Sequence, residues 1–168
     1  SLGADSADAV VGESASLNVS CRLGQLEDTE RSESRELGLR AIIGQQQAFV
    51  SGTAVDAEAL QRLAERAVEM AKATPADRYC GLAPAERLAS KLPSLDLADD
   101  HEPSAAELQT MAQETEDTAR AMAGITNSEG AGAAWGRGTT ALVTSHGFAG
   151  SYSSTSFSLS CSVVAGTG

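Results

Sequence analysis

Two histidines, His101 and His146, and three cysteines, Cys21, Cys80 and Cys161, are the only imidazole and thiol groups this chain offers to a metal or to nucleophilic catalysis. His101 lies in the run Asp99-Asp100-His101-Glu102, which holds oxygen and nitrogen donors in adjacent positions. Neighbouring side chains on a loop converge poorly on one ion, and no second donor cluster lies nearby. The run reads instead as a solvated acidic lead-in to a helix N-terminus, where negative charge is favoured. His-Glu-x-x-His, Cys-x-x-Cys and EF-hand spacings do not occur.

His146 follows Ser145, the adjacency of a base and a hydroxyl nucleophile. Neighbours on a strand point to opposite faces, and Thr-Ser-His-Gly-Phe is no nucleophile elbow, so a turn position is expected. Gly130, Gly132, Gly136 and Gly138 suggest a phosphate cradle, but the spacing is not Gly-x-Gly-x-x-Gly and a strand follows where a phosphate site needs a helix N-terminus. Glycines in a strand mark bulges or close backbone approach. No catalytic, cofactor-binding or metal-binding role is therefore assigned to any residue.

Bulk properties narrow the function further. The net charge is −11, and Arg31, Arg35 and Arg40 are interleaved with Glu27, Asp28, Glu30, Glu33 and Glu36. A nucleic-acid binder needs a basic stripe to displace counterions, so no nucleic-acid partner is expected. The same charge disfavours an anionic membrane surface, and no apolar run approaches the roughly 18 residues of a spanning helix. The N-terminus shows neither a basic region nor an apolar signal core, and three dispersed cysteines do not make a disulfide framework. Asn18-Val19-Ser20 fits a glycosylation sequon only by chance on that reading, and a cytoplasmic location is expected. Aromatic residues make up 4% of 168 positions, so one core built from Ala, Val, Leu and Ile is expected.

These groups are positioned by a simple order of elements. Leu17, Val19, Cys21 and Leu23 alternate with polar residues, as do Leu37, Leu39, Ala41 and Ile43, giving antiparallel strands between residues 8 and 52. Turns are expected at Gly24-Gln25 and Gly44-Gln45. Leu26–Arg35 is almost wholly polar, either a solvated edge strand or a loop. Asp56 caps a helix carrying Leu60, Leu63, Ala64, Ala67 and Ala71 on one face, stopped by Pro75. All four prolines fall in 75–103, a connector with at most a short helix from Ala85 to Lys91. Ser104 and Glu107 form a capping box for a second helix, which presents Leu108, Met111, Ala112, Thr115, Ala119 and Met122 and ends at Gly124. A hairpin through His146-Gly147 follows. The last strand sets Phe157, Leu159, Cys161 and Val163 against Ser156, Ser158, Ser160 and Ser162. The fold class is α+β, an antiparallel-rich sheet with two main helices. The order strands–helix, helix–strands would fit an internal duplication. Exposed strand faces and edges also admit another function, a stand-alone module that binds a partner strand or peptide by β-augmentation.

Two long strings carry a resemblance. One runs from Arg22 to Ser51; the other runs from Thr126 through Trp135 and Tyr152 to the Ser158–Val164 strand. They resemble the N-terminal domain of the TldD/PmbA family, the modulators of DNA gyrase. Gly38-Leu39-Arg40, Asn127-Ser128-Glu129-Gly130 and Gly147-Phe148-Ala149-Gly150 are closer to its PmbA (TldE) branch. The resemblance implies a subunit of a heterodimeric zinc metallopeptidase that degrades unfolded peptides and matures peptide antibiotics. It places the zinc on a TldD-type partner subunit, with none in this chain. It further implies one N-terminal domain over 1–168, cut from a longer protein, with the family's first helix shortened before Ser1 and its C-terminal domain missing. No catalytic residue carries over, because no position matches one.

Overall fold

The alternation of small apolar and polar residues becomes long antiparallel strands in the computed structural model, which describes residues 2–166. Strands β1 (Ser6–Arg22), β2 (Gln25–Ile43) and β3 (Gln46–Gly52) precede helix α1 (Ala57–Ala73); helix α2 (Ala105–Arg120), β4 (Ile125–Thr144) and β5 (Ala149–Ala165) follow the connector. The strand order is β3-β2-β1-β4-β5 in one five-stranded antiparallel sheet. The fold is thus α+β, with two helices. Ser1, Thr167 and Gly168, the ends of the single domain expected over 1–168, lie outside the described residues.

β3 accompanies β2 only from Leu37↔Gly52 to Ile43↔Gln46. Residues 25–36 extend beyond that ladder as strand, every one of them exposed, so the polar segment is a solvated strand and not a loop. The connector holds only a 3-10 turn at Ala85–Arg87, shorter than the helix expected to Lys91.

The chain divides into two compact units. One comprises 1–13, 34–96 and 139–152; the other comprises 14–33, 97–138 and 153–168. Each holds one helix together with portions of β1, β2, β4 and β5. In the first, Ala67, Val68 and Ala71 of α1 pack with Ala41, Ala48 and Val50. Alanines on the helix face let the helix sit close to the strands, with Leu63 packed over Gly52. In the second, Leu108 and Ala112 of α2 pack with Leu17, Val19, Cys21, Ala131, Ala133 and Trp135. Trp135, 2% exposed, supplies the volume that the surrounding alanines lack.

Both helix starts follow from their caps. Asp56 accepts the Ala59 N–H at 2.9 Å, and that bond draws its carboxyl below the usual range. Ser104 Oγ accepts the Glu107 N–H, while Glu107 accepts the Ser104 N–H at 2.8 Å, a complete capping box. α2 ends at Arg120, a turn before Gly124.

Candidate functional site

The acidic run before α2 does not gather into a donor set. Glu102 is taken by Arg31, 2.7 Å away, and His101 Nε2 stands 3.6 Å from Glu107, which the capping box already uses. Asp99 Oδ1 accepts the His101 N–H, and the Asp99 N–H donates to Thr155 Oγ1, both at 2.8 Å. The run is therefore an ordered entry to the helix. His146 occupies the β4–β5 turn with Nδ1 3.2 Å from the Ala83 carbonyl, while Ser145 Oγ accepts the Ala7 N–H at 3.0 Å. These two neighbours face different partners and make no nucleophile–base pair. Among the described residues no three His, Cys, Asp or Glu side chains come together as a metal site. Zinc, which the TldD/PmbA resemblance brings into question, finds no fitting donor set among the described residues.

The thiols are free: Cys21 is buried and Cys80 and Cys161 are partly so. Burial pushes the Cys21 thiol up, and the negative charges of Glu116 and Glu27 push it further. It is a packed, protonated thiol and not a nucleophile.

The chain's one fully buried carboxylate among the described residues was not visible as such in the sequence. Glu116 falls one turn after Ala112 on the core face of α2 and is 0% exposed. Its Oε1 accepts the Leu23 N–H at 2.8 Å and its Oε2 the Gly24 N–H at 2.9 Å. Burial alone would raise its pKa. The Ser128 hydroxyl and the two turn N–H groups more than offset that, so the carboxyl is held below its ordinary value. Leu23 and Gly24 have φ of 51° and 75°, the left-handed pair of a two-residue β-hairpin turn. Gln113 Nε2 donates to the Gly24 carbonyl at 2.9 Å, so α2 grips both ends of the turn.

Ser128 extends this node into β4. Its hydroxyl accepts the Gly130 N–H at 2.9 Å, and its carbonyl accepts Arg22 Nε at 3.0 Å. Gly130 has φ of 109°, and a Cβ there would lie 2.8 Å from the Cys21 carbonyl. Gly136 leaves room for the Ser156 hydroxyl of β5, whereas a side chain at Gly132 would meet Ser160 only in ordinary contact. Gly130 thus marks a close backbone approach of β4 to β1, and the four glycines lie within a strand, not in a phosphate cradle.

Other sequence strings have equally local tasks. Gly38 leaves room for Val10, and Arg40 pairs with Asp8 while its guanidinium lies 5.3 Å from the centre of the Phe49 ring. Gly150 accommodates Leu92 and Phe148. Arg31 is held by Glu102 and Glu33, which raise its pKa, and Arg35 pairs with Glu13. Arg31, Arg35 and Arg40 are thus each paired with a carboxylate.

Comparison with known proteins gives this architecture a context. Residues 7–71 match the family model described as PmbA/TldA metallopeptidase domain 1, and residues 98–168 match the PmbA/TldA metallopeptidase central domain. The chain is 34% identical over 164 residues to a metalloprotease PmbA homolog of Haemophilus influenzae and 32% identical over 162 residues to metalloprotease PmbA of Escherichia coli. Each alignment takes in 96% of this chain but only 36% of the relative's length. Among solved structures, TldE from Thermococcus kodakarensis superposes with a TM-score of 0.85 at 16% identity, covering 98% of this chain and 37% of that one. A Bacteroides thetaiotaomicron protein named for a role as modulator of DNA gyrase gives 0.87 at 18%, covering 97% and 38%.

Proposed function

This chain belongs to the PmbA/TldD metallopeptidase family, and from that premise we propose that it is the non-catalytic N-terminal domain of a PmbA/TldE-like subunit. One observation carries the reading. Metallopeptidase-family models match 7–71 and 98–168, yet among the described residues no three His, Cys, Asp or Glu side chains gather as a metal site. On this reading the metal chemistry lies with a TldD-type partner subunit carrying zinc. The region 1–168 acts as one domain and contributes sheet surface to a chamber in which unfolded or extended peptide is cleaved or matured. The complex is cytoplasmic; no helix among the described residues is long and apolar enough to cross a membrane. Neither nucleic acid nor a membrane is a partner, a view supported by the −11 charge and the paired arginines.

The test is assembly. An affinity-tagged TldD-type subunit from the same organism should retain the full-length protein that contains this chain at one-to-one stoichiometry. The complex should digest unfolded casein in a chelator-sensitive manner. A TldD-type subunit that is equally active alone and retains nothing would refute the proposal.

A further inference from the structure

The connector does more than join two helices, because part of it roofs a cavity in the first compact unit. Pro84 leads into the 3-10 turn at Ala85–Arg87, and its carbonyl accepts the Arg87 N–H at 2.9 Å. His146 Nδ1, in the β4–β5 turn, lies 3.2 Å from the Ala83 carbonyl, and Leu92 sits over Gly150. These contacts hold the segment 82–89 across β1, β2 and β4. Between segment and strands is a space of about 250 Å³ walled by Leu82, Leu88, Leu142 and Phe148. Every residue lining it belongs to the first compact unit.

Two guanidinium groups line this apolar space, and they differ. Arg40 is fixed: its Nε donates to Asp8 Oδ1 at 3.0 Å, its Nη2 pairs with Asp8 Oδ2, and the Phe49 ring lies 5.3 Å away. Its side chain is 22% exposed and that of Asp8 16%, so the pair is preset and close to neutral. Arg87 meets no carboxylate among the described residues. The cavity therefore carries an excess positive charge in a chain of net charge −11. Thr144 Oγ1 accepts the Phe148 N–H at 3.2 Å, which leaves its own proton to donate.

An unmatched guanidinium beside apolar walls suits a planar anion with a compact apolar body. The guanidinium fork offers two parallel N–H donors to a carboxylate, and leucine and phenylalanine side chains bury the remainder. The space falls just below the roughly 300 Å³ at which ordinary ligand pockets begin, which favours a small free acid over a longer molecule. We propose that the cavity beneath Leu82–Ala89 binds a small monocarboxylate with one ring or one branched chain. Arg87 grips the carboxylate, with Arg40 and Thr144 beside it, and the leucines and Phe148 hold the apolar body.

The test uses the 168-residue chain and phenylacetate, followed by amide NMR shifts. Saturable shifts centred on residues 82–89, 144 and 148 are expected, with a Kd of about 0.2–5 mM for so small a ligand. Phenylacetamide, equal in shape but uncharged, should bind about tenfold more weakly or worse. Arg87→Gln, at an exposed and unpaired position, should weaken phenylacetate about five- to tenfold. Arg87→Lys keeps the charge without the fork and should cost about two- to threefold. No saturable shift up to about 20 mM, equal binding of the amide, or undiminished binding by Arg87→Gln would overturn the site. So would tighter binding of N-acetylglycylphenylalanine than of phenylacetate, since a peptide terminus would then be the occupant.

Discussion

Glu116 is kept ionised inside the protein by the Leu23 and Gly24 N–H groups and the Ser128 hydroxyl. Removing it with Glu116→Ala takes the acceptor from two part-buried turn N–H groups and empties a core position, an expected loss of about 2–3 kcal/mol by urea unfolding. The sign of the pH dependence follows from its lowered folded-state pKa. In the window between the folded value and the ordinary glutamate value of about 4.3, the unfolded chain binds more protons. This contribution is therefore fully present above that ordinary value and is lost as pH falls through the folded one. Urea midpoints of the native chain and Glu116→Gln should converge on acidification below pH of about 4. A gap that stays constant to pH of about 2 would show that the carboxylate is not the source. Gly130 gives a second test at this node. Gly130→Ala combines a φ of 109° with a 2.8 Å approach to the Cys21 carbonyl, and should cost about 2 kcal/mol or more.

Elements were legible to the extent that their residues obey a period. Leu17, Val19 and Cys21 alternate and are buried, and the two helix caps sit where Asp56 and Ser104 place them. The face of α2 was only half legible. Its 3.6-residue period selects Met111 and Met122, yet both are exposed, because β4 and β1 meet the helix along Leu108, Ala112 and Glu116. A glutamate in step with Leu108 and Ala112 was the available signal of a buried carboxylate, but its partners come from turn and strand residues far away in sequence. The β1–β2 turn lies at Leu23-Gly24, one residue before the expected Gly24-Gln25, because Leu23 accepts a left-handed conformation that leucine disfavours. Leu23→Asn would create the Asn-Gly pair preferred in such turns. A gain of about 0.5–1 kcal/mol in unfolding free energy is expected, with the Glu116 contacts retained.

At the scale of the whole molecule, family membership came from long strings whose residues do structural work: Gly38, Ser128, Gly130 and Gly150 each make room for or bind a neighbour. Such strings preserve a fold without disclosing chemistry, which is why the sequence identified the family yet offered no catalytic residue. Alternation shows that a strand has two faces, but only the assembled sheet shows which strand is left at the end. Chelator-controlled peptidase assay of the purified 168-residue chain on unfolded casein, with zinc supplied, bears most directly on the non-catalytic assignment. Cleavage no greater than in the chelated control is the expected result. Zinc-dependent, chelator-sensitive cleavage that co-purifies with the chain would contradict the account.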